Sequence, residues 1–234
     1  MQADLELRGW IVLALPWERA LDTGMKHAVD GAATALPFAH LNLRRNPFGE
    51  VEPMELAELA VADVQRHVRR LSRPGYAVQF LGEQGRGKTT HLVAVRRYFP
   101  DAPYVHIGEG ERPRIPVGHP LFVDEIQRFS PWRRRRLFRR PVSLALGTHE
   151  DVSAELTRAG FDVETVDVGG SADAGRLCEI AGRRIEAARR GPGRVPRLGR
   201  ETAQALIDRF GDDLRTIQAR LYDVFQQIEG IEDV

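Results

Sequence analysis

Cysteine occurs once in the chain, at Cys178, so no internal disulfide can form and the expected compartment is the reducing cytoplasm. Lysine is almost as scarce. Of the 34 lysines and arginines only Lys26 and Lys88 are lysine, leaving 32 arginines. Long apolar runs are missing as well. The run at 10–15, Trp-Ile-Val-Leu-Ala-Leu, is too short to span a bilayer, and Asp4 and Glu6 stand where a secretory leader carries basic residues. Nor does one sign of charge dominate. A net charge of +1 and a pI of 8.0 do not suggest a nucleic-acid binder overall, so only local clusters could carry such a role. The 234 residues suffice for one α/β domain with a sizeable core and a small appendage.

What is present is organised around residues 76–90, YAVQFLGEQGRGKTT. Residues 76–81 read as a buried strand, and a helical pattern begins near His91. Between them, Gly82, Glu83, Gln84, Gly85, Arg86, Gly87, Lys88 and Thr89 fit G-x-x-x-x-G-K-[ST], the Walker A pattern, with Thr90 just beyond. Strand, glycine-rich turn and helix form the context this motif requires. Glycines let backbone N–H groups close around a phosphate, and the helix N-terminus adds positive dipole. Lys88 can reach the β- and γ-phosphates, and the Thr89 hydroxyl can ligate Mg²⁺. A lysine here, in a chain that otherwise uses arginine, fits a site that wants a compact point charge.

A second motif lies at 120–125, Pro-Leu-Phe-Val-Asp-Glu. Apolar residues ending in two acids fit a Walker B strand. Asp124 would hold Mg²⁺, directly or through water, and Glu125 would orient and deprotonate an attacking water. The alternative is a buried strand capped by two surface acids.

Along the rest of the chain, Asn46-Pro47-Phe48-Gly49 marks a turn, and apolar residues from Leu56 to Leu71 recur at helical spacing after Pro53. Further strands are expected at 104–107, 141–148 and 161–166, and short helices at 131–140 and 151–159. Residues 108–119 form a loop. After Gly169-Gly170-Ser171 the pattern becomes helical, at 174–190, 201–210 and from Leu214, with Asp212 or Asp213 as cap. Thr148 ends a strand where a parallel sheet presents its ligand-binding edge, and a role as a plain turn residue is the alternative. The expected organisation is an N-terminal extension of unassigned role (1–45), an α/β core (46–169) and a helical lid (170–234).

On these motifs residues 46–230 resemble an AAA+ ATPase, and the Asn-Pro-Phe at 46–48 is similar to that of bacterial members associated with secretion and transposition control. The resemblance implies a P-loop NTPase fold with a five-stranded parallel sheet sandwiched by helices, followed by the helical lid. It implies ATP and Mg²⁺ as ligands, Thr148 as sensor 1 and Arg215 as a sensor 2 arginine reaching the γ-phosphate. It also implies an arginine finger supplied by a neighbouring subunit. Arg158 occupies a suitable interval, although in so arginine-rich a chain it also reads as an ordinary surface residue. The short 108–119 connection departs from polypeptide-threading members and argues against an unfoldase.

Three functions follow as expectations. One is Mg²⁺-dependent ATP hydrolysis that switches lid and partner contacts. Another is a nucleotide-gated adaptor with slow turnover, working in a homo-oligomer or with a protein partner. The third is nucleic-acid remodelling through Arg133, Arg134, Arg135, Arg136, Arg139 and Arg140, with Arg183, Arg184, Arg189, Arg190 and Arg194 in the lid. A solvated basic face is the simpler reading of those clusters. The lack of an Asn-Lys-x-Asp sequence after the fourth strand makes GTP the less expected fuel.

Overall fold

The computed structural model describes residues 37–61, 64–169, 173–231 and 234. The apolar run at 10–15 and the Gly170-Ser171 part of the joint lie outside them. The chain divides into two compact units, which among the described residues comprise 51–169 and 37–50 with 173–234.

The first unit is an α/β layer structure. Its strands are β1 (Tyr76–Leu81), β2 (Tyr104–His106), β3 (Leu121–Asp124), β4 (Leu144–Thr148) and β5 (Asp162–Asp167). They form one sheet in the order β2-β3-β4-β1-β5, and all four pairings are parallel. Its helices are α1 (Pro53–Leu59), α2 (Gln65–Leu71), α3 (Lys88–Arg96), α4 (Pro131–Leu137) and α5 (Ser153–Arg158).

Strand periodicity sorts the core into two faces. Val78, Phe80, Phe122 and Ala145 pack with Leu92 and Val95 of α3 and Leu71 of α2. Ala77, Leu121, Val123, Leu144 and Leu146 pack with Leu137 of α4 and Leu156 of α5. Both faces are covered, which is why the central strands read as nearly unbroken apolar runs. The one polar residue buried in β1, Gln79, is satisfied: its amide donates to Asp151 and Thr165, and its oxygen accepts the Val152 N–H.

One expected element is corrected. The helical spacing over 53–71 belongs to two helices, because the backbone turns extended at Ala60 (φ −60°, ψ 129°) and ends α1 there. The apolar period continues across the break, so periodicity could not show it.

The second unit holds α6 (Ala174–Ala188), α7 (Arg200–Phe210) and α8 (Leu214–Gln227). Asp173 caps α6 by accepting the Arg176 N–H, and Asp213 caps α8 by accepting the N–H groups of Arg215 and Thr216. Residues 37–50 belong with these helices. Leu41, Leu43 and Phe48 are buried against Leu177, Ile185, Leu221 and Phe225. Asn46 Nδ2 donates to Tyr222 O at 2.9 Å, the Arg44 N–H donates to Ala188 O, and the buried Arg184 guanidinium donates to Pro47 O at 3.0 Å. The Asn-Pro-Phe turn thus packs with the helical unit rather than opening the α/β unit. Leu43→Ala is expected to cost about 2–5 kcal/mol. Hydrogen exchange should show lost protection in α6 and α8 with β1 unchanged. Equal protection in all three would mean that residues 37–50 add nothing to the helical unit.

Candidate functional site

Three strand ends meet at the carboxyl edge of the sheet. β1 leads into the 82–87 loop, β3 ends at Asp124, and β4, lying between them, ends at Thr148. The register sets Leu81 beside Thr148 and Asp124 beside Gly147. This edge is where parallel sheets hold ligands.

The loop turns through Gly85 and Gly87, whose φ of 87° and 95° lie in the left-handed region that glycine enters without penalty. α3 then begins at Lys88, which is only 5% exposed. Lys88 Nζ donates to the carbonyl oxygens of Gly82 at 2.9 Å and Glu83 at 3.0 Å, and lies 3.0 Å from His149 Nε2 and 3.8 Å from Glu125 Oε1. The next residue, Thr89, is exposed, and its hydroxyl donates to Asp124 Oδ2 at 2.7 Å.

Asp124 is fully buried. Its Oδ2 also accepts from the Tyr104 hydroxyl at 3.1 Å, with His106 Nδ1 3.6 Å away, and its Oδ1 accepts the Glu125 N–H. Burial pushes its pKa up. The donors and charge of His106, Thr89 and Tyr104 outweigh burial and hold the carboxyl below its ordinary range. Burial, with the neighbouring Asp124 charge, pushes the Tyr104 phenol well up, so it remains a donor.

Glu125 has φ 63°, an unfavourable conformation for a residue with a side chain, which persists only where the surroundings fix it. Here they do. Glu125 Oε2 accepts from Gln127 Nε2 at 2.8 Å and lies 3.4 Å from Arg128 Nε, while Oε1 is 3.2 Å from His149 Nε2. Gln127 Oε1 accepts the His149 N–H at 3.3 Å, so one amide side chain steadies both Glu125 and His149. His149 Nε2 can serve only one neighbour at a time. Without a proton it accepts from Lys88, and with one it donates to Glu125.

No protein-family model and no curated protein sequence matches the chain. The chemistry of the site therefore rests on its own geometry.

The structure brings Lys88, Thr89, Asp124 and Glu125 together. Gly82 sits at the base of the loop, where a Cβ would meet Val168 Cγ2 at 2.9 Å. Glu83 and Gln84 are exposed, and Arg86 and Thr90 are half-buried. Thr148 does not offer its hydroxyl to the site. That group donates to Glu150 O at 2.7 Å and accepts the Glu150 N–H, which closes a turn. The residue that the end of β4 delivers to Lys88 and Glu125 is His149. Arg158 is exposed at the end of α5, and Arg215 is exposed in the first turn of α8, in the second unit.

Sequence reasoning passed over His149, Gln127, Tyr104 and His106. Tyr104 and His106 left a signal. They are the alternate polar positions of β2, so they share a face, and β2 pairs His106 with Asp124. His149 and Gln127 lie outside the strands and longer helices, where no period marks them.

Proposed function

We propose that the chain is a Mg²⁺-dependent ATPase of AAA+ type, its glycine loop acting as a P-loop for the ATP phosphates. The observation that carries this is the 2.7 Å bond from Thr89 to Asp124, which ties the glycine loop to the end of β3 with Lys88 and Glu125 beside it. A hydroxyl and a buried, ionised carboxylate are hard oxygen donors. Two such donors suit Mg²⁺, which keeps several waters and completes its shell with phosphate oxygens. Thr89 and Asp124 would hold the ion, which supplies neutralisation of charge at the β- and γ-phosphates.

The chain's own residues do the rest. Lys88 exchanges the Gly82 and Glu83 carbonyls for phosphate oxygens, an exchange of neutral acceptors for charged ones. That movement releases the Lys88–His149 contact, and His149 in its Nε2–H tautomer then donates to Glu125. Glu125, aimed by Gln127, takes a proton from the attacking water. The exposure of Arg158 favours a second reading, in which the chain holds ATP and turns it over slowly until a neighbouring copy supplies an arginine.

Calorimetric titration with ATP tests the reading. Wild type should bind with Mg²⁺, and Lys88→Ala should weaken binding roughly tenfold or more, as loss of charged hydrogen bonds does. A wild type that takes up no ATP, or a Lys88→Ala variant that binds as well as wild type, rules it out.

A further inference from the structure

The arginines of α4 and the turn after it divide into two sets. Arg134 is buried, and its guanidinium forms a fork with the Glu155 carboxylate at 2.8 and 3.1 Å. Arg133 donates to Pro113 O at 3.0 Å and stacks on Phe129. Arg140 donates to Ile115 O and Pro116 O at 3.2 and 2.8 Å. These three are structural, and two of them pin the 112–116 strip along the helix.

The second set faces solvent. Arg135, Arg136 and Arg139 are exposed, and no acidic side chain pairs with them among the described residues. Trp132 is 68% exposed, with the Arg136 guanidinium 5.9 Å from its ring centroid. Trp132 and Arg136 are four residues apart on α4, the spacing that sets side chains side by side on a helix, and Arg139 follows in the turn. The pinned strip adds Arg112 and Arg114, both exposed. Two acids lie between them and the sheet: Glu109 is exposed, and Glu111 folds back to accept the Gly108 N–H at 3.2 Å. The result is five solvent-facing guanidiniums and one exposed indole on α4, the turn after it and the pinned strip, within a chain whose net charge is only +1.

We propose that this face binds single-stranded nucleic acid, the arginines taking backbone phosphates and Trp132 stacking on a base. Charge complementarity selects a polyanion. A protein partner would need a contiguous apolar centre to the interface, and among the described residues this face exposes only two large apolar side chains, Trp132 and Val117. A duplex keeps its bases stacked and would leave the indole face unused, whereas splayed bases stack on such a ring whatever their identity. The observation is independent of the nucleotide site. The lid arginines do not join in as a cluster, since Arg184 is buried, and Arg183 and Arg189 pair with Glu179 and Glu186.

Fluorescence anisotropy with a short labelled oligothymidine, in EDTA and without nucleotide, tests the proposal separately from ATP binding. Wild type should bind at low salt and quench its indole emission. The triple variant Arg135→Ala/Arg136→Ala/Arg139→Ala should bind more weakly. Its slope of log affinity against log salt should be shallower by about 2, at about 0.7 for each phosphate left without its arginine. Trp132→Ala should weaken binding at least about fivefold. The charge-matched variant Arg73→Ala/Arg197→Ala/Arg220→Ala, at exposed positions elsewhere, should retain wild-type binding. Circular dichroism checks that each variant folds. The proposal is overturned by no binding at low salt or by an unchanged slope in the triple variant. It is also overturned if a duplex or polyglutamate binds equally well and Trp132→Ala makes no difference.

Discussion

Exchanging Glu125 for glutamine is expected to leave ATP bound and to slow its hydrolysis roughly 10²–10⁴-fold, the usual contribution of a positioned general base. Glutamine keeps the shape of the side chain and can still meet Gln127 and His149, so the strained backbone at φ 63° has no reason to relax. What it loses is the basic oxygen. Single-turnover hydrolysis and ATP titration of the same sample separate the two effects. Lost binding together with lost turnover would show that Glu125 chiefly organises the pocket, through its contacts to Arg128 and His149. Unchanged turnover would place the base elsewhere.

A second large effect is expected at Gly147, a residue that carries no chemistry. A Cβ built there would stand 2.2 Å from Asp124 Oδ1 and 3.0 Å from Leu92 Cδ1. Both neighbours are fully buried and cannot swing into solvent. The register explains the crowding: Gly147 lies directly across from Asp124 on β3 and from Phe80 on β1. Gly147→Ala must therefore displace the Asp124 carboxylate or part β4 from β3. Overpacking of this kind costs about 1–3 kcal/mol. The expected result is a lower urea midpoint together with loss of the Mg²⁺ dependence of ATP binding, because a displaced Asp124 gives up the 2.7 Å bond to Thr89. Wild-type stability with wild-type Mg²⁺ dependence would mean that the strands yield without moving the carboxylate.

The parts of the molecule that the sequence announced are those governed by near neighbours. β1 is an apolar run stopped by Gly82, and the structure places it at Tyr76–Leu81 as expected. The helical period and a cap at Asp212 or Asp213 located α8, and the structure selects Asp213. Apolar runs alternating with helical stretches gave the five strands of the α/β unit, and the parallel sheet was what the resemblance implied. In the candidate site, motif spacing named Lys88, Thr89, Asp124 and Glu125, which the structure brings together. The site was illegible where side chains from distant positions meet. Nothing local relates Tyr104 to Asp124, or His149 to Lys88. The Thr148 hydroxyl was drawn into its own turn by Glu150, a competition between local and ligand hydrogen bonds that position along a strand does not decide. In residues 37–50 only the turn at Asn46-Pro47-Phe48-Gly49 was legible, because the cover of Leu41, Leu43 and Phe48 comes from helices far along the chain.

That last arrangement has a consequence during translation. The Asn46 side chain reaches Tyr222 across 176 positions, and the Leu43 backbone bridges to Arg189. The segment that holds α1 to β5 is thus an insertion between two halves of one helical unit. It can fold on the ribosome as soon as β5 has emerged, because domains fold as units in order of synthesis. Leu41, Leu43 and Phe48 are made before it, yet their cover in α6 and α8 is made after it. For the whole interval of α/β synthesis these apolar side chains stand without that cover on the nascent chain.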